Sequence, residues 1–223
     1  MSIIKNLIFD LGGVVIPLNP EQAWTRFESL GIKNTRQQMG VYGQTGIFRQ
    51  LEDGSISEEE FQCALGQQAQ EQSDYFGKVE PRFSYEQCVW AWCGYVDSVH
   101  LDRLQNLLKL KEKYNVLLLS NTNPFIMSWA DSTEFSGDGH PISYYFHQVY
   151  CSYRMKEYKP SLTIFQKLLH DAHIKAEESV FLDDGPKNVE AAEQLGIRGL
   201  LVPKNEDWMH RLMALLNEDT SEG

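Results

Sequence analysis

Asp10 closes an apolar run, IIKNLIFD, and is followed almost at once by two glycines, Gly12 and Gly13. Three more polar groups follow apolar or mixed runs: Ser120-Asn121-Thr122 after VLLL, Lys159-Pro160 after MKEY, and Asp183-Asp184 after VFL. Taken singly, each has an ordinary explanation. An acid at a strand end caps a helix, SNT is a good N-cap and turn sequence, a lone lysine is a solvated charge, and DDG is a turn. Taken together they describe chemistry. The carboxylates of Asp10, Asp183 and Asp184 could hold a hard cation such as Mg²⁺, which binds through oxygen and keeps several waters. A hydroxyl, free backbone amides and one ammonium suit the oxygens of a phosphate. The glycines let the backbone approach a ligand closely and point amides at it.

Those residues act together only if the fold gathers them. Residues 3–10 are rich in Ile, Leu and Phe, as expected of a strand buried on both faces. Val116–Leu119, Val180–Leu182 and Gly199–Val202 read the same way, and Gln148–Cys151 is a weaker fifth strand. Leu101, Leu104, Leu107, Leu108 and Leu110 mark a helix ending near Tyr114, and Ile164, Phe165, Leu168 and Leu169 another after Pro160. Val189–Leu195 is a third, closed by Gly196, and residues 205–217 form a final amphipathic one. This alternation predicts an α/β fold, a parallel sheet with helices on both faces. Ligands of such sheets bind at the carboxyl ends of the strands, where all four polar groups fall. Residues 18–97 break the alternation and predict a helical insertion after the first strand. Within it Ser57 and Glu60 form a capping box.

The bulk properties narrow the class. With 223 residues, 42% hydrophobic and 23% charged, the chain reads as a globular protein with one core and a sizeable insertion. A net charge of -11 argues against nucleic acid and anionic membranes as partners, but not against a small phosphorylated substrate in a local pocket. No apolar run approaches the ~20 residues that span a bilayer. The N-terminal run is too short and too weakly basic for a signal peptide. Cys63, Cys88, Cys93 and Cys151 show no CxxC spacing, and a reduced, cytoplasmic protein is expected. The histidines show no HxH or HExxH pattern. No feature sets an oligomeric state.

The order FDLGG, SNT, KP, FLDDGPKN resembles the four motifs of the haloacid dehalogenase (HAD)-like hydrolase superfamily. The resemblance covers the whole chain, and each motif is weak alone but strong in this order and spacing. Within the superfamily the chain is most similar to the α-D-glucose-1-phosphate phosphatase-like subgroup, related to the N-terminal phosphatase domain of soluble epoxide hydrolases; FRQLEDGSISEEEF looks like its cap. The resemblance implies a Rossmann-like core (1–17 and 98–223) carrying an α-helical cap (18–97), and a Mg²⁺-dependent phosphoric monoester hydrolase. Asp10 would be the nucleophile, forming an aspartyl phosphate, and a metal ligand. The Gly12 carbonyl and Asp184 would ligate the metal directly and Asp183 through water. Gly13, Ser120, the Asn121 amide and Lys159 would hold the phosphoryl group, with Asn188 orienting the acidic pair.

The sequence departs from the superfamily at Gly12, where most of its phosphatases carry a second acid that moves protons. General acid–base assistance is typically worth ~10²–10⁴-fold, so a leaving group less basic than a simple alcohol is expected, such as an anomeric sugar oxygen. Arg49 and Glu52 of the insertion could contact a sugar or supply a proton, although ordinary surface charges explain them more simply. A metal-free 2-haloacid dehalogenase is an alternative, and Asp183-Asp184 argues against it. A non-catalytic binding protein on the same scaffold is another, motivated by Gly12. The aromatic cluster WAWCGY at 90–95 reads as core packing rather than pocket lining, and Cys88 and Cys93 as buried hydrophobes.

Overall fold

The computed structural model describes residues 3–40, 43–71 and 82–221. Asn6–Phe9 (β1), Asn115–Ser120 (β2), Gln148–Cys151 (β3), Ser179–Asp183 (β4) and Arg198–Leu201 (β5) form one parallel sheet in the order β3-β2-β1-β4-β5. The chain thus starts at the centre, builds outward through β2 and β3, then returns to the other side of β1. The strand order reverses at β1, the place where open α/β sheets bind ligands.

Helices Pro20–Ser29 (α1), Thr35–Gln38 (α2), Gly46–Glu52 (α3), Glu58–Glu71 (α4) and Tyr85–Trp92 (α5) all fall between β1 and β2. Leu101–Lys111 (α6), Pro124–Ala130 (α7), Ser152–Met155 (α8), Leu162–Asp171 (α9), Pro186–Glu193 (α10) and Met209–Ser221 (α11) follow among the remaining strands. Side chains alternate along a strand, so each central strand feeds two cores. Leu7, Phe9, Val116, Leu118, Val180 and Leu182 pack with Leu104 and Leu107 of α6 and Leu212 of α11. Ile8, Leu117, Leu119 and Phe181 pack with Ile164, Phe165 and Leu168 of α9 and Ala191 and Ala192 of α10. Both faces are covered, which is why these strands read as continuous apolar runs.

The inserted helices bury their apolar residues against one another. Trp24, Phe27, Phe48, Leu51, Phe61, Leu65 and Trp92 form a third cluster, joined by Phe125 of α7. Trp92 meets Phe27 and Phe48 edge to face, with centroids 5.5 and 5.7 Å apart. The 90–95 cluster therefore divides: Trp92 is packing, Trp90 is 46% exposed, and Tyr95 is buried against the cavity described below. Cys88 is buried and Cys93 half-buried, and burial pushes their thiols up to about 12 and about 11, away from the reactive thiolate.

Ser57 and Glu60 do form the expected capping box before α4: Glu60 N–H donates to Ser57 Oγ at 3.2 Å, and Ser57 N–H to Glu60 Oε2 at 2.7 Å. Ser57→Ala is expected to destabilise the protein by about 0.5–2 kcal/mol, read as a lower urea midpoint at unchanged slope.

Several boundaries differ from the sequence expectation. β1 spans Asn6–Phe9, shorter than the apolar run 3–10, because Ile3 is 79% exposed and outside the ladder. The helix expected at 189–195 begins earlier, with Pro186 in its first turn. The final helix starts at Met209 rather than 205, because Asn205 adopts a left-handed φ of 67° and turns the chain first. Helix α7, seven residues long, is too short to show a helical period.

Candidate active site

β1 and β4 are paired in register, Phe9 beside Leu182, and Asp10 N–H donates to Leu182 C=O at 2.8 Å. Asp10 and Asp183 therefore leave the sheet side by side. Lys159 arrives between them from the segment after β3 and α8. Its Nζ is 2.8 Å from Asp10 Oδ1 and 2.6 Å from Asp183 Oδ2, and it donates to Leu119 C=O at 3.0 Å. Asn121 fixes that arrival. Its side-chain oxygen accepts from Lys159 N–H at 2.9 Å and its amide donates to Lys159 C=O at 3.0 Å.

Asp183, fully buried, turns its other oxygen toward Gly185 N–H (2.7 Å) and Asn188 Nδ2 (2.9 Å). Asn188 stands in the first turn of α10, so helix and carboxylate fix each other. Oxygens of Asp10, Asp183 and Asp184 lie within 4.8 Å of one another. Burial pushes the Asp10 carboxyl up to about 7; Lys159 opposes this and Asp183 and Asp184 add to it. Asp184 is likewise held up at about 6, by burial and then by Asp183. Burial would depress Lys159, but Asp10 and Asp183 outweigh it and hold the ammonium above its usual range. Three carboxylates thus meet the Lys159 ammonium, with Lys204 acting on Asp184 from one side. A hard divalent cation among them would offset the excess negative charge, and oxygen donors at this spacing fit Mg²⁺.

The loop after Asp10 is held by residues remote in sequence. Arg103 donates to Val14 C=O at 2.8 Å and to Asn205 C=O at 2.6 Å. Asn205 pairs with both backbone groups of Leu18, at 2.8 and 3.1 Å, and its own N–H donates to Gly13 C=O. Gly13 does not play the part expected of it. Its N–H donates to Ile16 C=O at 2.8 Å and is not free for a phosphate. What it supplies is space: φ is +80°, and a Cβ there would lie 2.5 Å from Asp184 Oδ2. The N–H groups of Leu11 and Gly12 have no backbone acceptor among the described residues, and both residues line the cavity.

That cavity, of about 110 Å³, collects most of the expected residues: Asp10, Gly12, Ser120, Asn121, Lys159, Asp184 and Asn188. It also holds residues for which the sequence predicts no role in the site: Thr122 Oγ1 and Gln44 Oε1, buried without a hydrogen-bond partner among the described residues, Tyr158, and Tyr95, which the sequence places in core packing. Glu52, explained most simply as a surface charge from the sequence, is only 4% exposed and lines the cavity. Arg49 does not line it: the guanidinium lies 3.5 Å from the Tyr158 ring centroid and pairs with Asp53 at 3.2 Å.

A parallel sheet that gathers three carboxylates and a lysine at its switch point, with helices inserted after its first strand, is an arrangement suited to a hydrolase. The chain belongs to the haloacid dehalogenase-like hydrolase family, whose model matches residues 4–196. It is 37% identical over 214 residues to a D-ribitol-5-phosphate phosphatase of Bacteroides thetaiotaomicron, covering 96% of this chain and 99% of that one. A HAD-like family hydrolase from Porphyromonas gingivalis superposes with a TM-score of 0.87 at 33% identity, covering 96% and 98% of the two chains. A wild-type HAD family enzyme from B. thetaiotaomicron, solved with magnesium and inorganic phosphate, superposes with a TM-score of 0.75 at 32% identity over 93% and 98%.

Proposed function

We propose that this chain is a Mg²⁺-dependent phosphatase of a small sugar or polyol phosphate. The observation that carries this reading is the buried cluster of Lys159 with Asp10, Asp183 and Asp184 at the end of the central strands. Asp10 attacks phosphorus to give an aspartyl phosphate, which water then hydrolyses. Lys159 orients Asp10 through their ion pair and offsets charge on the phosphoryl oxygens. Its three N–H groups are engaged by Asp10, Asp183 and Leu119, so a direct bond to phosphate replaces the Asp10 contact as Asp10 turns to phosphorus. The Ser120 hydroxyl and the main-chain N–H of Asn121 hold the same group, since the Asn121 side chain is occupied with Lys159. Asp10, Asp183, Asp184 and the Gly12 carbonyl would hold the cation, with Asn188 fixing Asp183. When bound, Mg²⁺ neutralises charge on the phosphoryl oxygens.

In this reading residues 18–97 are a cap over a core of 1–17 and 98–223. Supporting it, the insertion has its own apolar cluster and contributes Gln44, Glu52 and Tyr95 to the cavity. No helix among the described residues is long and apolar enough to cross a membrane. The four cysteines are free thiols, which suits a cytoplasmic protein. The relative's substrate, by its name, is an open-chain polyol phosphate, so such esters join anomeric sugar phosphates as candidates.

Phosphate release from a panel of both ester types is expected with Mg²⁺ and to vanish in excess EDTA. Silence across the panel would favour a non-catalytic protein, and halide release from 2-chloropropionate in EDTA would favour a dehalogenase.

A further inference from the structure

Position 12 carries no acid, and the tip of the Leu18 side chain, whose Cδ1 would lie 2.8 Å from a Cβ on Gly12, occupies part of that space. A proton for an alkoxide leaving group must come from another wall of the cavity. Among the described residues that line it, the carboxyl groups are those of Asp10, Asp184 and Glu52, and the first two belong to the nucleophile and cation cluster.

Glu52 is held in place by contacts remote in sequence. It ends α3, and its C=O accepts from Ser152 Oγ at 2.5 Å. Ser152 also accepts from Thr122 N–H at 3.0 Å, which ties the end of α3 to the loop after β2. Gly54, at φ +74°, permits this approach, because a Cβ there would overlap the Tyr153 carbonyl oxygen. The carboxyl itself accepts from the Tyr158 hydroxyl at 3.1 Å, one residue before Lys159. Arg49 braces Tyr158 from the outer side and is paired with Asp53.

Resting on the phosphatase reading above, we propose that Glu52 is the catalytic acid and base of this site. As Asp10 bonds to phosphorus, the bond from phosphorus to the leaving oxygen breaks and that oxygen takes the Glu52 proton. The resulting carboxylate then removes a proton from the water that attacks the aspartyl phosphate, the phosphorus–Asp10 bond breaks, and both residues return to their starting state. The protonation suits the task. Burial pushes the Glu52 carboxyl up to about 7, against the hydrogen bond from Tyr158, the nearby Asn123 amide and Arg49, and with a smaller push from Asp53. A general acid works best when its pKa lies near the operating pH.

The test compares leaving groups. p-Nitrophenolate departs without a proton, whereas the alkoxide of an open-chain polyol phosphate needs one. For Glu52→Gln, kcat on the polyol phosphate is expected to fall by ~10²–10⁴-fold, while the pre-steady-state burst rate of p-nitrophenolate stays within about threefold of the parent. Burst amplitude counts folded, phosphorylatable sites, so misfolding appears as lost amplitude rather than a lost rate. Glu52→Asp, which keeps the acid, then decides the matter and is expected to recover at least about tenfold of the loss. Equal losses on both substrates, or a raised KM at unchanged kcat, would overturn the assignment and leave the phosphatase reading standing. Absence of any p-nitrophenolate release by the parent would overturn both.

Discussion

Asp10→Asn is expected to lower phosphate release by at least ~10⁴-fold while leaving the thermal midpoint without Mg²⁺ unchanged or higher. The two readouts separate because the residue does two things. In the reaction its oxygen forms the bond to phosphorus, and an amide cannot do so. In the resting fold it is a buried carboxylate beside two others, held up at about 7 by burial, so its charge opposes folding. Asparagine removes that charge, and Lys159 keeps Asp183 as its partner at 2.6 Å. Loss of activity together with a large loss of stability would mean that Asp10 is mainly structural. Retained activity would sink the mechanism.

Lys159→Met should act in the opposite sense, costing both activity and stability. The lysine is 1% exposed and is the ammonium between two buried carboxylates. Removing one partner of a buried ionic group leaves uncompensated charge, at a cost of about 3–5 kcal/mol. That loss should appear as a lower urea midpoint, and Mg²⁺ should recover part of it, since a cation among the same carboxylates offsets the same charge. If the variant is as stable as its parent without Mg²⁺, the buried carboxylates do not depend on the Lys159 charge.

The residues that were legible in the sequence are those whose position follows from the strand they end. Asp10, Ser120 and Asp183 lie at carboxyl ends of parallel strands, and pairing in register brings Asp10 and Asp183 together without further information. The alternation of apolar runs and helical stretches likewise sufficed for a sheet covered on both faces. What escaped depends on contacts between segments far apart. Glu52 is buried because Tyr158 and Ser152, 106 and 100 residues away, close around it, and no local pattern distinguishes it from the acids that follow in α4. Asn205 reads as the start of a helix until its left-handed backbone and its pairing with Leu18 are seen. Gly13 invited a phosphate-binding role because glycine often frees a backbone amide. Here the glycine is needed for a positive φ and for room beside Asp184, and the amide is taken by Ile16.

The covalent step at Asp10 is the centre of this account, and rapid acid quenching with substrate labelled in its phosphoryl group tests it most directly. With Mg²⁺ present, label is expected on the protein in the first turnover, released by hydroxylamine as for an acyl phosphate, mapped to the peptide containing Asp10, and absent in Asp10→Asn. Phosphate release at full rate with no labelled protein, or label on any other residue, would contradict it.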